Sequence, residues 1–144
     1  MTLQRMENVG IVVDDLTAAV AFFTELGLTL EGEGEVVGGF ADQCVGLDGV
    51  HCRIAMMKVP DGPGRLELSQ YLSPVAAPAP QKPPHNIVGT HRVMFSVTDI
   101  EDVVARLRPL GGELAGQIAQ YGDTTRLCYL RGPSGIFVGL AEEV

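Results

Sequence analysis

Residues 8–32 read NVGIVVDDLTAAVAFFTELGLTLEG, and residues 92–116 read RVMFSVTDIEDVVARLRPLGGELAG. Laid over each other without a gap, at an offset of 84, they share nine of 25 positions. The identical pairs are Val9/Val93, Val13/Val97, Asp15/Asp99, Val20/Val104, Ala21/Ala105, Leu26/Leu110, Gly27/Gly111, Leu30/Leu114 and Gly32/Gly116. Average composition gives about one or two coincidences over such a stretch. The unit is too long for a solenoid repeat and too short for a self-sufficient domain, so two half-domains are expected to pack together.

Each copy opens with alternation. Val9, Ile11 and Val13, and likewise Val93, Phe95 and Val97, form one apolar strand face. Asp15 and Asp99 stand where a helix N-cap is needed. The helical stripes that follow are Leu16, Ala19, Val20, Phe23 and Leu26 in the first copy, and Ile100, Val103, Val104, Leu107 and Leu110 in the second. Glu101 and Asp102 favour the N-terminal end of the second helix dipole. Pro109 should disturb its last turn, and Gly27 and Gly111 close the two helices. Further strands are expected at 28–37, 51–58 and 65–71, then at 113–121, 124–131 and 136–141, with a short helix inside 40–47. Residues 72–90 hold five of the nine prolines and read as a stiff linker with little secondary structure. The glycines from Gly32 to Gly39 lack the context of a phosphate loop and read as flexible strand ends.

The 144 residues carry a net charge of −8 and are 46% hydrophobic, which suits one domain with a filled core. The acidity argues against nucleic acid and anionic membranes as partners. No apolar run approaches bilayer length, and the opening MTLQRMENV has no signal-peptide core, so a cytoplasmic protein is expected. Three unpaired cysteines, Cys44, Cys52 and Cys128, are expected to be small buried hydrophobes.

A βαβββ unit, repeated and joined by a linker, resembles the vicinal oxygen chelate superfamily: glyoxalase I, bleomycin-resistance proteins, methylmalonyl-CoA epimerase and extradiol dioxygenases. NVGIVVDDLTAAVAFFTELGL, RLEL, RVMFSVTDIEDVVARL and GPSGIFVGLAE carry the resemblance. It implies an α+β fold of two tandem βαβββ modules forming a curved mixed sheet around a cup. The single domain would span 1–144, with module one at 5–72, the linker at 72–90 and module two at 91–144. Metal-dependent members set a ligand at the start of each module's first strand and another on its last strand. By that rule the four positions here are Asn8, Glu67, Arg92 and Gly139. Only Glu67 is a good ligand, Arg92 cannot bind a cation, and Gly139 has no side chain. No cofactor is therefore expected; a divalent metal would need a different register, for example one using His91.

Alternation places Arg65, Glu67, Ser69 and Tyr71 on one face, and Arg92, Met94 and Ser96 on another. Glu67 and Arg92 are expected to form an ion pair where the metal would sit, with Asn8 beside it. The pair has two open roles. It could be a structural clip, or Arg92 could bind a carboxylate, phosphate or enolate while Glu67 orients it or acts as base. Asn8, Glu67, Ser69, Arg92, Met94 and Phe137 are the expected ligand-binding set, with Glu67 and Arg92 the catalytic pair if there is catalysis. Met56 and Met57 could add to an apolar pocket, and Tyr121, Arg126 and Tyr129 could reach its rim. His51 is expected to be exposed, His85 to be solvated in the linker, and His91 to be a packed or edge residue. The first functional reading is a metal-independent small-molecule binder, present as a homodimer. The alternative is a lyase or isomerase that removes a proton next to a carbonyl, with or without a metal. A dioxygenase and a non-catalytic regulatory subunit rank lower.

Overall fold

Each copy of the repeat folds as its pattern dictates. The first supplies strand β1 (Val9–Val12) and helix α1 (Leu16–Leu26); the second supplies β5 (Arg92–Ser96) and α3 (Ile100–Leu107). Asp15 caps α1 by accepting a hydrogen bond from the Ala18 amide at 3.0 Å, and Asp99 caps α3 by accepting from the Asp102 amide at 3.1 Å. Gly27, at φ 127, ends α1 with its N–H shared between the carbonyls of Phe23 and Thr24.

The computed structural model describes residues 2–60 and 62–143. It divides into two units, Met1–Pro78 and Ala79–Val144. The first adds β2 (Thr29–Val37), the short helix α2 (Gly39–Val45), β3 (His51–Lys58) and β4 (Arg65–Ser73). Its sheet runs β1-β4-β3-β2, with β1 parallel to β4 and the remaining pairs antiparallel. The second adds β6 (Glu113–Leu114), β7 (Ala119–Tyr121), β8 (Thr125–Arg131) and β9 (Phe137–Glu143). Its sheet runs β5-β9-β8-β6, with β7 also on β8, and again the first and last strands pair in parallel. The fold is α+β, two βαβββ modules each built on a mixed sheet.

In each unit one sheet face is sealed by a helix. Leu16, Ala19, Phe22 and Phe23 of α1 are buried with Ala55, Met57, Leu66 and Leu68 of the sheet beneath. Ile100, Val103, Val104 and Leu107 of α3 are buried with Cys128, Leu130, Val138 and Leu140. Each buried Val, Leu, Ile, Phe or Met among them contributes about 1.5–3 kcal/mol. The last strand also holds the helix start. Gln70 Oε1 accepts from the Leu16 amide at 2.9 Å. Glu142 Oε1 accepts from the Asp99 amide at 2.7 Å, its Oε2 accepts from the Ile100 amide at 3.4 Å, and it faces Arg126 at 3.6 Å.

Several expectations are corrected. Phe22 is buried, whereas Val20 and Leu26 are only half-buried, so the α1 stripe is centred on the Phe22–Phe23 pair, whose rings meet edge to face. Pro109 turns the end of α3 into a 3-10 turn (Arg108–Leu110), which rotates Leu110 out to 38% exposure. The strand expected at 113–121 is two short pieces separated at 115–118. The glycine-rich stretch is mostly an ordered strand, β2. Cys44 is exposed; only Cys52 and Cys128 are buried.

Glu142 is 15% exposed and satisfies two amides and a guanidinium. Glu142→Ala should cost about 2 kcal/mol and Gln70→Ala about 1 kcal/mol, read from urea denaturation midpoints. Equal losses would show that the carboxylate's charge adds nothing.

Candidate functional site

The helices leave the opposite face of each sheet open, and strand register fixes what it carries. In the first unit Gly10 lies opposite Glu67, Glu67 opposite Met56, and Met56 opposite Gly32. The next row is Val12, Ser69, Ile54 and Gly34. At the far end Cys52, Val36 and Tyr71 lie under α2, packed with Ala41 and Val50. Asn8, one residue before β1, falls on the same face as Gly10 and is half-buried. Glu67 is half-buried too, and within its unit no hydrogen bond or ion pair of a described residue engages its carboxylate. Its charge is felt nearby: burial first, and then Glu67, pushes the Cys52 thiol up from its ordinary range. Arg65, expected on this face, is committed to Glu31, at 3.0 Å from Nε and 3.2 Å from Nη2. That hydrogen bond holds Glu31 below the usual carboxylate range.

In the second unit Met94 lies opposite Gly139, and Gly139 opposite Tyr129. The Arg92 guanidinium lies over the Tyr129 ring, 5.5 Å from its centroid. A Cβ on Gly139 would sit 2.9 Å from both Met94 Cε and Tyr129 Cε1, closer than real carbons approach. Phe137 is 2% exposed. It shares the face of Gly139 and is covered there by the His85 ring at 4.7 Å and by the Arg131 guanidinium at 5.6 Å.

His85 is a further correction. It is not solvated: its ring lies 4.5 Å from that of Tyr129, and its Nε2 is buried with no hydrogen-bond partner among the described residues. Arg131 fastens the strap that carries it by donating to the Pro83 carbonyl at 3.1 and 3.4 Å. The proline-rich stretch is therefore not merely a spacer; from Ala79 onward it is part of the second unit. Tyr129 and Arg131 share a face by simple alternation along β8, but nothing in the sequence shows where a proline strap lies. Arg126 points to the helix side, 2.6 Å from Glu101. Tyr121 is 79% exposed, Met57 is buried under α1, His91 is exposed before β5, and His51 pairs with Glu35 at 2.9 Å. Glu67 and Arg92 belong to different units.

Two modules of this order, each with one face sealed by a helix and one left open, define a class that the comparisons identify. The family model described as Glyoxalase/Bleomycin resistance protein/Dioxygenase superfamily matches residues 5–140. A glyoxalase family protein of Bacillus cereus is 47% identical, with a TM-score of 0.94 over 100% of this chain and 97% of its own. Glyoxalase I of Leishmania major is 16% identical, TM-score 0.64, over 97% of this chain and 87% of its own. TnmS3, an antibiotic-binding protein of Streptomyces sp. CB03234, is 18% identical, TM-score 0.62, over 100% and 99%. At those identities the last two show the fold alone. No curated protein sequence matches. The chain belongs to the glyoxalase/bleomycin resistance protein/dioxygenase superfamily.

The metal positions of that family can be tested on the register. Leu68 pairs with Ile11, and Leu140 with Phe95. Glu67 and Gly139 are therefore equivalent, as are Gln70 and Glu142, and the first-strand offset makes Asn8 equivalent to Arg92. Asn8, Glu67, Arg92 and Gly139 do not fit a divalent ion: they amount to one amide, one carboxylate, one fixed cation and one position whose side-chain space is already filled. Among the described residues no group of three or more His, Cys, Asp or Glu is placed to hold one.

Gly139→Ala should destabilise the protein by about 1–3 kcal/mol, and combining it with Met94→Ala should recover part of that loss, measured by thermal unfolding of the four-member cycle. Burial also raises the Cys128 thiol. Of the three thiols only Cys44 should therefore react promptly with a disulfide reagent at neutral pH, with Cys52 and Cys128 reacting only on denaturation.

Proposed function

We propose that this protein binds a small organic molecule on its open sheet faces without a family-type metal, Arg92 taking the ligand's anionic group. The observation that carries the reading is Gly139, where Met94 and Tyr129 occupy the space a ligand side chain would need. Beside it the Arg92 guanidinium lies on Tyr129. It is a permanent cation that can pair with a carboxylate, phosphate or enolate in a two-pronged hydrogen bond. Binding of a small molecule, which the antibiotic-binding neighbour is named for, needs no more than shape and a few polar groups.

A second reading has its own observation. The Glu67 carboxylate is half-buried and uncommitted within its unit, as a general base must be before substrate arrives. Taking a proton from a carbon next to a carbonyl, that carboxylate would make the protein a lyase or isomerase. We also propose a cytoplasmic homodimer. Among the described residues no helix is long and apolar enough to cross a membrane, each sheet keeps edge strands, and Phe40 is 80% exposed.

Untagged protein analysed by elemental mass spectrometry should contain no stoichiometric transition metal, and should take up none from nickel, zinc, manganese or iron. A stoichiometric metal would overturn the reading. In a titration with small carboxylates, Arg92→Ala should abolish binding while Glu67→Gln leaves it. If the enzyme reading holds, Glu67→Gln instead abolishes exchange of the substrate's α-proton with deuterium oxide.

A further inference from the structure

We infer that the strip of β2 bared by Gly32 and Gly34 seats a flat aromatic ring whose cationic side group reaches Glu67; the inference rests on the small-molecule reading above. Glycine inside a strand weakens it, because it adds backbone freedom and leaves no side chain to pack. Such a residue needs a reason, and the fold supplies none at Gly34. Its φ is not in the left-handed region, and a Cβ there would meet nothing within 4 Å. Gly32 is equally open, although it follows the register shift after Leu30, so Gly34 carries the argument. What remains is the close approach of something to the strand's backbone.

The surroundings define what could approach. Gly32, Gly34, Val36, Ile54 and Met56 line a shallow hollow of about 290 Å³. Val36, Ile54 and Met56 are apolar and give a ring its side contacts, the methionine adapting to its outline. The register then sets the order across the sheet: Gly32, Met56, Glu67 in one row and Gly34, Ile54, Ser69 in the next. A ring lying on the glycines thus has a carboxylate and a hydroxyl one strand beyond its methionine and isoleucine neighbours. Glu33 and Glu35 alternate with these glycines and so carry their side chains on the other face, Glu35 pairing with His51, and Arg65 is held by Glu31. The charged group left to meet a ligand on this face is the Glu67 carboxylate, which selects an ammonium or amidinium rather than an anion.

The test uses 1-naphthylmethylamine, a planar ring with a primary ammonium, and the uncharged 1-naphthylmethanol, titrated by fluorescence into the wild type, Gly34→Val and Glu67→Gln. Gly34→Val places a good strand former in open space, so its melting temperature should match or exceed that of the wild type. The amine should bind the wild type, bind Gly34→Val at least about tenfold more weakly, and lose its advantage over the alcohol in Glu67→Gln. If the amine binds Gly34→Val as well as wild type, or neither probe binds at all, the seat does not exist. Either result leaves the metal-free anion site to be decided by its own carboxylate titration.

Discussion

The parallel pairing of the first and last strands in each module is the constraint from which the rest follows. β1 beside β4, and β5 beside β9, are held in one register by equivalent bonds: the Val13 amide donates to the Ser69 carbonyl and the Val97 amide to the Ala141 carbonyl, each at 2.8 Å. A slip of one residue would turn every side chain to the other face. The register therefore places Leu68 and Leu140 under the helices, puts Gln70 and Glu142 at the helix starts, and leaves Glu67 and Gly139 on the open faces. Packing, capping and the candidate site are three consequences of one alignment.

The two modules use that shared frame differently. In the first, the open face is left bare, with glycines at 10, 32 and 34 around a half-buried carboxylate. In the second it is filled: Tyr129 and Met94 close over Gly139, Arg92 rests on the tyrosine, and the strap lays His85 across Tyr129 and Phe137. At equivalent positions the first repeat carries an amide and a carboxylate, Asn8 and Glu67, and the second an arginine and a glycine enclosed by Met94 and Tyr129.

His85, whose Nε2 is buried with no hydrogen-bond partner among the described residues, belongs to that filled face. An orphaned polar atom in an apolar setting is costly, so the position must be held by the contacts around it. Two aromatic rings and the clasp of Arg131 on the Pro83 carbonyl provide that hold. The strap thereby becomes part of the second unit's surface.

Much was legible in the sequence, because it rests on local periodicity. Alternation marked the strands, helical spacing and the aspartate caps marked α1 and α3, and the ungapped offset fixed which residues of the two modules correspond. The α+β fold and the likeness to the family rest on those patterns. Tertiary structure decided what has no local signature. It buried Phe22 in place of Val20, because the exact face of a helix is chosen by the sheet it meets. It turned Leu110 outward at the proline, broke the strand after Glu113–Leu114, and ordered the glycine-rich β2 by pairing it with β3. It also placed His85 on Tyr129, and filled the space at Gly139 with side chains from two other strands. Periodicity reports which way a side chain points; what it meets there is set by residues far away in the chain, and only the assembled sheet brings them together.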